Sequence, residues 1–158
     1  MKKEHVLDVL EKELEKHLTE ADFAIDWHPK KHQFEVLVAL FAENKGQEQI
    51  EDEEGVVSEE EVIEFEDGIL FYTNPLDVID KEEYLTTIAF DRKKGLSREW
   101  LREFARYLND VLIEGQNDLF DFLTDESVDI FELKWDDSVF EQRLEAIKEH
   151  HFVPYPKY

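Results

Sequence analysis

Three arginines at four-residue intervals are the polar residues whose spacing points most directly to chemistry. Arg98, Arg102 and Arg106 would lie on one flank of a helix, because side chains four residues apart are neighbours on a helix surface. A guanidinium group is a planar donor that pairs bidentately with carboxylates. The stripe therefore indicates contacts with anionic groups. The favoured interpretation is a solvated flank paired with acids of the same fold, and the other is a docking surface for an anionic partner.

The acidic segment, residues 43–67, is the counterpart of this stripe. It holds twelve Asp and Glu residues and one base, Lys45. Its densest part is the run Glu51, Asp52, Glu53 and Glu54. We interpret this run and the three arginines as a candidate interaction surface, with a second copy of the chain as one candidate partner. Exposed ion pairs contribute only about 0–1 kcal/mol each, so such contacts suit orientation and partner choice better than affinity.

Acidic clusters also raise the question of metal-dependent hydrolysis, because Ca²⁺ and Mg²⁺ prefer oxygen ligands. The spacing does not support a specific site. In the segment that begins at Asp125, Ile130 stands where a calcium-binding loop needs glycine. The sequence has no His-Glu-x-x-His pattern, no nucleotide-binding glycine motif and no G-x-S-x-G. No catalytic residue, metal ligand or cofactor is therefore assigned, although a carboxylate- or metal-dependent hydrolase without a recognisable motif stays open.

The overall charge restricts the class of partner. Forty-one Asp and Glu residues against 18 Lys and Arg give a formal net charge of −23. A field of this sign repels nucleic-acid phosphates and anionic lipids. We therefore expect a protein partner and neither nucleic acid nor a membrane. The same charge leaves a weaker alternative, an acidic mimic of nucleic acid that occupies a basic site on another protein.

Composition predicts a globular cytoplasmic protein. Hydrophobic residues make up 42% of the chain, with 12 Phe, 5 Tyr and 3 Trp, which supports a core and argues against disorder. There is no cysteine, so disulfides and Cys nucleophiles are excluded. The first residues lack the apolar core of a signal peptide, and the apolar run over 36–42 is too short to span a bilayer.

The N-terminal part predicts the first elements that would position these residues. Apolar residues at spacings of three and four predict a helix over residues 3–20. Alternating apolar residues predict strands over 23–28 and 32–43, joined by a turn at 29–31. The second strand has apolar residues on both faces, which predicts a central strand that is covered on both sides.

The acidic segment leaves two local structures open. Ser58 and Glu61 fit a capping box that opens a short helix. Alternatively, two strands meet at a turn at Asp67-Gly68, and the Ile, Phe and Tyr content of residues 63–72 favours this alternative.

Later elements follow from equally local signals. Ser97 is expected to cap a helix over 98–114 that ends at Gly115. Further elements are strands over 84–90 and 128–135, a helix from Asp136 or Asp137 to about Glu149, and an extended tail over 150–158.

This order of elements predicts the α+β class. We expect a mainly antiparallel sheet of about five or six strands, with helices packed on one face. The whole chain, 1–158, is expected to form a single domain.

Three stretches, Ala24–Val36, Ile50–Tyr72 and Tyr107–Asp125, resemble an uncharacterised family of small acidic proteins from Gram-positive bacteria such as streptococci and enterococci. The resemblance covers nearly the whole chain. It implies a bacterial, cytoplasmic, single-domain protein, and it implies no activity and no site residues.

The missing catalytic motifs and the segregated charge favour one class of function. We expect a non-catalytic protein-binding or regulatory module, with a homodimer as one candidate assembly. A hydrolase and a nucleic-acid mimic are the alternatives.

Overall fold

The computed structural model describes residues 4–19, 21–43, 50–51, 57–58, 62–77, 80–124 and 133–156. These residues form three α-helices and eight strands, joined in part by short 3₁₀ turns. The helices are α1 (Val6–His17), α2 (Arg98–Thr124) and α3 (Asp137–Glu145); the strands are β1 (Asp22–His28), β2 (Gln33–Glu43), β3 (Ile50–Glu51), β4 (Val57–Ser58), β5 (Val62–Tyr72), β6 (Thr86–Ala89), β7 (Leu96–Ser97) and β8 (Phe152–Val153).

The central sheet of the described residues has four strands in the order β1-β2-β5-β6. β2 pairs antiparallel with β1 and β5, whereas β5 pairs parallel with β6. β3 with β4, and β7 with β8, form separate short antiparallel pairs. The α+β class is confirmed. The sheet is mixed because β6 pairs parallel with β5, and within the described residues it is narrower than the expected five or six strands.

β5 is one continuous strand, so the turn predicted at Asp67-Gly68 is wrong. In the ladder with β2, Asp67 lies opposite Val38 and Gly68 opposite Leu37. The cross-strand hydrogen bonds and side-chain pairs of this ladder outweigh the local turn preference of the dipeptide. Of the two structures left open for this segment, residues from Val62 onwards form a strand and not a helix. Residues 59–61 lie outside the described residues.

α2 also continues past its predicted end at Gly115. A Cβ at this position would overlap Leu133 Cδ2 and would lie 3.3 Å from Leu40 Cδ1. The glycine therefore makes room for side chains from elsewhere in the chain and does not terminate the helix. The start of α2 is as predicted, since Ser97 Oγ accepts a hydrogen bond of 3.0 Å from the Trp100 amide.

The hydrophobic core lies between α1, α2 and the inner face of the sheet. Every second residue of β2 from Phe34 to Leu40 is buried there. Phe71 of β5 stacks on Phe34 at a centroid distance of 4.5 Å and meets Phe104 of α2 edge to face at 5.1 Å. These aromatic contacts join the sheet to α2.

The part of the chain that the structure describes places no helix on the outer face of β2. β2 is central, as predicted, but coverage on both sides is wrong because Leu37 and Phe41 remain 40% and 42% exposed. In the described residues, α1 and α2 both pack on the inner face, and α3 packs against α2 through Phe140 and Trp100.

The C-terminal part contains α3 and β8. Asp136 caps α3, as predicted, but α3 ends at Glu145, before the expected Glu149. Residues 133–135 have no regular structure, so the strand expected over 128–135 is wrong at its described end, and residues 125–132 lie outside the described residues. Within the tail expected over 150–158, Phe152–Val153 forms β8 and pairs with β7.

Candidate functional site

The arginine stripe on α2 faces carboxylates of its own chain. The three side chains remain about half exposed, at 42%, 50% and 54%. Hydrogen bonds from Lys12 and from Arg98 lower the pKa of Glu4. The contacts agree with the favoured interpretation of an intramolecular flank, and docking of a partner on the stripe stays a prediction. The three pairs are Arg98 Nη2 with Glu4 Oε1 at 3.2 Å, Arg102 Nε with Glu13 Oε1 at 3.8 Å, and Arg106 Nη1 with Glu103 Oε2 at 3.7 Å.

The acidic run is the other half of the predicted interaction surface. Glu51 ends β3, which pairs with β4. Asp52, Glu53 and Glu54 lie outside the described residues. The predicted contact between this run and the arginines of a second copy therefore stays a prediction.

A different surface combines exposed apolar side chains with carboxylates, and the sequence analysis did not identify it. We call it the open face. Alternation along β2 turns Leu37, Ala39 and Phe41 outwards, and the ladders place acidic residues on both neighbouring strands. The open face consists of Asp22 and Ala24 of β1, Glu35, Leu37, Ala39 and Phe41 of β2, and Glu64, Glu66 and Gly68 of β5.

A groove of about 700 Å³ runs over the open face. Leu37, Ala39 and Phe41 contribute apolar surface to it. Every charged residue that the structure describes along the groove is acidic. These acidic residues are Asp22, Glu35, Glu64, Glu66, Asp67 and Glu83.

Gly68 keeps the groove open beside Leu37. The two residues lie opposite each other in the ladder. A Cβ on Gly68 would lie only 3.4 Å from Leu37 Cδ2 and 3.9 Å from Tyr84 Cδ1. A larger side chain here would cover part of Leu37, so the glycine contributes directly to the exposed apolar surface.

Negative charge is concentrated enough on the open face to alter proton affinity. A hydrogen bond with the neighbouring Glu66 side chain raises the pKa of Glu64, and the charges of Glu66 and Asp22 act in the same direction. Because like charges repel, a positively charged group beside Glu64 and Glu66 would be favourable.

Tyr84 and Asp67 adjoin the groove on the side of β6. The Tyr84 hydroxyl donates a hydrogen bond of 3.3 Å to Glu35 Oε1. Burial and the charge of Glu35 raise the pKa of Tyr84. Burial also raises the pKa of Asp67, although the Gly68 amide donates a hydrogen bond of 2.8 Å to its Oδ1 and opposes this effect.

One serine–histidine contact resembles a catalytic pair. Ser97 Oγ lies 2.8 Å from His150 Nδ1. However, Ser97 is 1% exposed, and the same Oγ accepts the Trp100 amide at the start of α2. A buried hydroxyl that serves as a helix cap is positioned for stability and not for attack on a substrate.

The arrangement of these carboxylates bears on metal binding. In the described residues, no group of three or more His, Asp or Glu side chains is arranged to hold a metal ion. The described acids of the open face are spread over β1, β2 and β5, with Asp22, Glu35 and the pair Glu64 and Glu66 on separate strands. Nor does any helix in the described part have the length and apolar content needed to cross a bilayer.

Together these features define an α+β protein with helices on one face of a mixed sheet and an acidic, partly apolar groove on the other. The chain belongs to the family described as "Protein of unknown function (DUF3013)", which matches residues 1–157. This confirms the resemblance noted from the sequence.

A solved structure supports the same assignment. The chain is similar to a crystal structure of a conserved protein of unknown function from Enterococcus faecalis, with 45% sequence identity and a TM-score of 0.86. The match covers 99% of this chain and 98% of that one. No curated protein matches the chain.

Proposed function

We propose that this protein is a non-catalytic protein-binding module and that the open face is its binding site. Its occupant is a segment of another protein that carries both apolar and basic side chains. One observation carries the proposal. Leu37 and Phe41 stay 40% and 42% exposed on β2, on either side of Ala39, which lies between Asp22 of β1 and Glu66 of β5.

The apolar part of the surface supplies affinity. Full burial of a Leu or Phe side chain contributes about 1.5–3 kcal/mol. Since Leu37 and Phe41 are already more than half buried, a docked partner would gain on the order of 1 kcal/mol from each. Further gain comes from the partner's own apolar side chains, because they leave water when they enter the groove.

The acidic part selects the partner. In the described residues, the groove carries carboxylates on both sides and no lysine or arginine. Lys or Arg side chains of a partner would relieve the repulsion between these carboxylates, and long-range attraction would speed association. The same charges disfavour a second copy on this face, because that copy would bring the same carboxylates and a net charge of −23.

The location and assembly remain part of the proposal. We place the binding reaction in the cytoplasm, as the composition predicted. A homodimer formed through the arginine stripe of α2 is compatible with a free open face, and sedimentation equilibrium would test it separately.

Photo-crosslinking in the cells that express the protein tests the binding site. A benzoylphenylalanine residue replaces Phe41 on the open face or, as a matched control, Phe120 on α2, which is 54% exposed. We expect a discrete protein adduct from position 41 that disappears when Leu37→Asp is added. The adduct peptide is expected to contain apolar residues together with Lys or Arg. Equal labelling from both positions, or an adduct insensitive to Leu37→Asp, would contradict the proposal.

A further inference from the structure

We infer that the occupant of the open face binds as an amphipathic α-helix laid along β2, with Lys or Arg on both flanks of its apolar stripe. This inference rests on the proposed function and adds the conformation of the partner. Three features of the face carry it: the paired backbone in its middle, its width and its periodicity.

The backbone in the middle of the face is already paired. From Gln33 to Ala39, β2 is hydrogen-bonded to β1 on one side, and it is hydrogen-bonded to β5 on the other. An extended segment lying over the middle of the sheet would therefore find no partners for its own amide and carbonyl groups, which carry a cost when they leave water unpaired. A helix satisfies these groups internally, so it can cover the sheet face without that cost.

The distance between the two acidic sides matches a helix. Asp22 of β1 and Glu66 of β5 both lie opposite Ala39 of β2. Neighbouring strands are about 4.8 Å apart, which places the two acidic strands about 10 Å apart. An α-helix with its side chains is about 10–12 Å wide. A helix above Ala39 would therefore have carboxylates within reach on both flanks.

The apolar residues have a spacing that a helix can match. Leu37 and Phe41 are four residues apart on one strand, which is about 13 Å. Helix residues separated by seven or eight positions are about 10–12 Å apart. A stripe at i, i+4 and i+8 would thus contact both residues, and its middle side chain would enter the depression above Ala39. Lys side chains beside the stripe would lay their stems on apolar surface and their ammonium groups near Glu64, Glu66 and Asp22.

Two model peptides test the conformation. Both have about 14 residues of Leu and Lys, ordered so that Leu falls on one side of a helix about 21 Å long. They have the same sequence, but in the second several central residues are D-isomers, which prevents a regular helix. Binding to the full chain is measured by fluorescence anisotropy at an ionic strength of about 0.15 M, and helicity by circular dichroism.

We expect binding to depend on the helical conformation of the peptide and on the residues of the open face. The all-L peptide should bind at least about tenfold more tightly than the D-containing peptide and should gain helicity on binding. Phe41→Ala should weaken its binding about fivefold or more, whereas Phe120→Ala should not. The double change Glu64→Gln, Glu66→Gln should weaken it more than Glu11→Gln, Glu15→Gln, which alters the net charge equally on the exposed side of α1.

Other outcomes separate the two proposals. Equal binding of both peptides, weakened by Phe41→Ala but without a gain in helicity, would overturn the helix and keep the open face as the binding site. Both proposals would be overturned if binding did not change with Leu37→Ala or Phe41→Ala and weakened equally with the Glu64/Glu66 and Glu11/Glu15 double changes. Such binding would depend on net charge alone.

Discussion

The indole Nε1 of Trp27 donates a hydrogen bond of 2.6 Å to the phenolic oxygen of Tyr155, 128 residues further along the chain. The two rings also meet edge to face at 6.3 Å. Tyr155 is 7% exposed, so the C-terminal tail is an integral part of the packing beside β1. The contact joins the edge strand of the sheet to the segment that follows β8.

Removal of the Tyr155 hydroxyl should therefore destabilise the fold. Tyr155→Phe leaves the Trp27 N–H without its acceptor in a partly buried site, which should cost about 1–3 kcal/mol. Urea unfolding of Tyr155→Phe, Trp27→Phe and the double variant gives the coupling between them. We expect the double variant to lose clearly less than the sum of the single losses. Additive losses would mean that the hydrogen bond contributes nothing.

Gly95 should tolerate alanine poorly. It has a positive φ of 75°, and a Cβ would overlap the backbone oxygen of Val153. Both the unfavourable backbone conformation and the separation of β8 from β7 oppose the change, so we expect Gly95→Ala to cost more than about 2 kcal/mol.

Gly115→Ala is the matched control for this experiment. Its new Cβ would meet the end of the Leu133 side chain, which can move, and alanine gains about 1 kcal/mol of helix propensity over glycine. Urea unfolding should therefore rank Gly95→Ala as the more damaging change. The reverse order would contradict the geometry around Val153.

Arg143 should matter more for stability than the arginines of the α2 stripe. Its Nε lies 2.7 Å from Glu103 Oε1 and its Nη1 lies 2.8 Å from Asp110 Oδ2, and its side chain is only 25% exposed. It also lies over the Tyr107 ring at 5.2 Å. Loss of these contacts leaves two carboxylates without their shared cation, so Arg143→Met should cost about 1–3 kcal/mol.

The comparison variant is Arg102→Met, at a half-exposed pair with a distance of 3.8 Å. It should cost about 0–1 kcal/mol, as exposed ion pairs do. Thermal unfolding in low and high salt measures both variants. Equal losses would show that burial of the Arg143 cluster adds nothing to its ion pairs.

Asp67 should make stability depend on pH. Burial raises its folded-state pKa, so folding favours the protonated form. Its contribution is full below the unfolded pKa of about 3.9 and is lost as the pH rises through the raised folded value. Asp67→Asn keeps an oxygen acceptor for the Gly68 amide but cannot ionise. We therefore expect this variant to be more stable than the natural chain at neutral pH.

Melting temperatures at pH 7 and below pH 4 check this prediction, with about 2–4 °C corresponding to 1 kcal/mol for a chain of this size. The advantage of Asp67→Asn should shrink at the acidic pH. An advantage that grows as the pH falls would contradict the direction of the Asp67 shift.

Part of the candidate site was open to prediction from local patterns. The apolar residues on both faces of β2 correctly indicated a central strand, and the same pattern carried the signal for Leu37 and Phe41. What it could not indicate was which face the helices would leave uncovered. The acidic sides of the open face were harder to predict from the sequence. Asp22 and Glu66 come together only because both strands pair with β2 at Ala39.

The sequence by itself determined the features that depend on neighbours along the chain: the net charge, the amphipathic pattern of α1, the β1–β2 hairpin, and the caps at Ser97 and Asp136. Periodicity and capping act within a few residues, so they can be recognised without the fold. The tertiary structure decided the roles of Gly68 and Gly115. Glycine permits either a turn or a close approach. The ladder with β2 keeps Gly68 inside a strand, and the packing of Leu133 and Leu40 selects a close approach at Gly115.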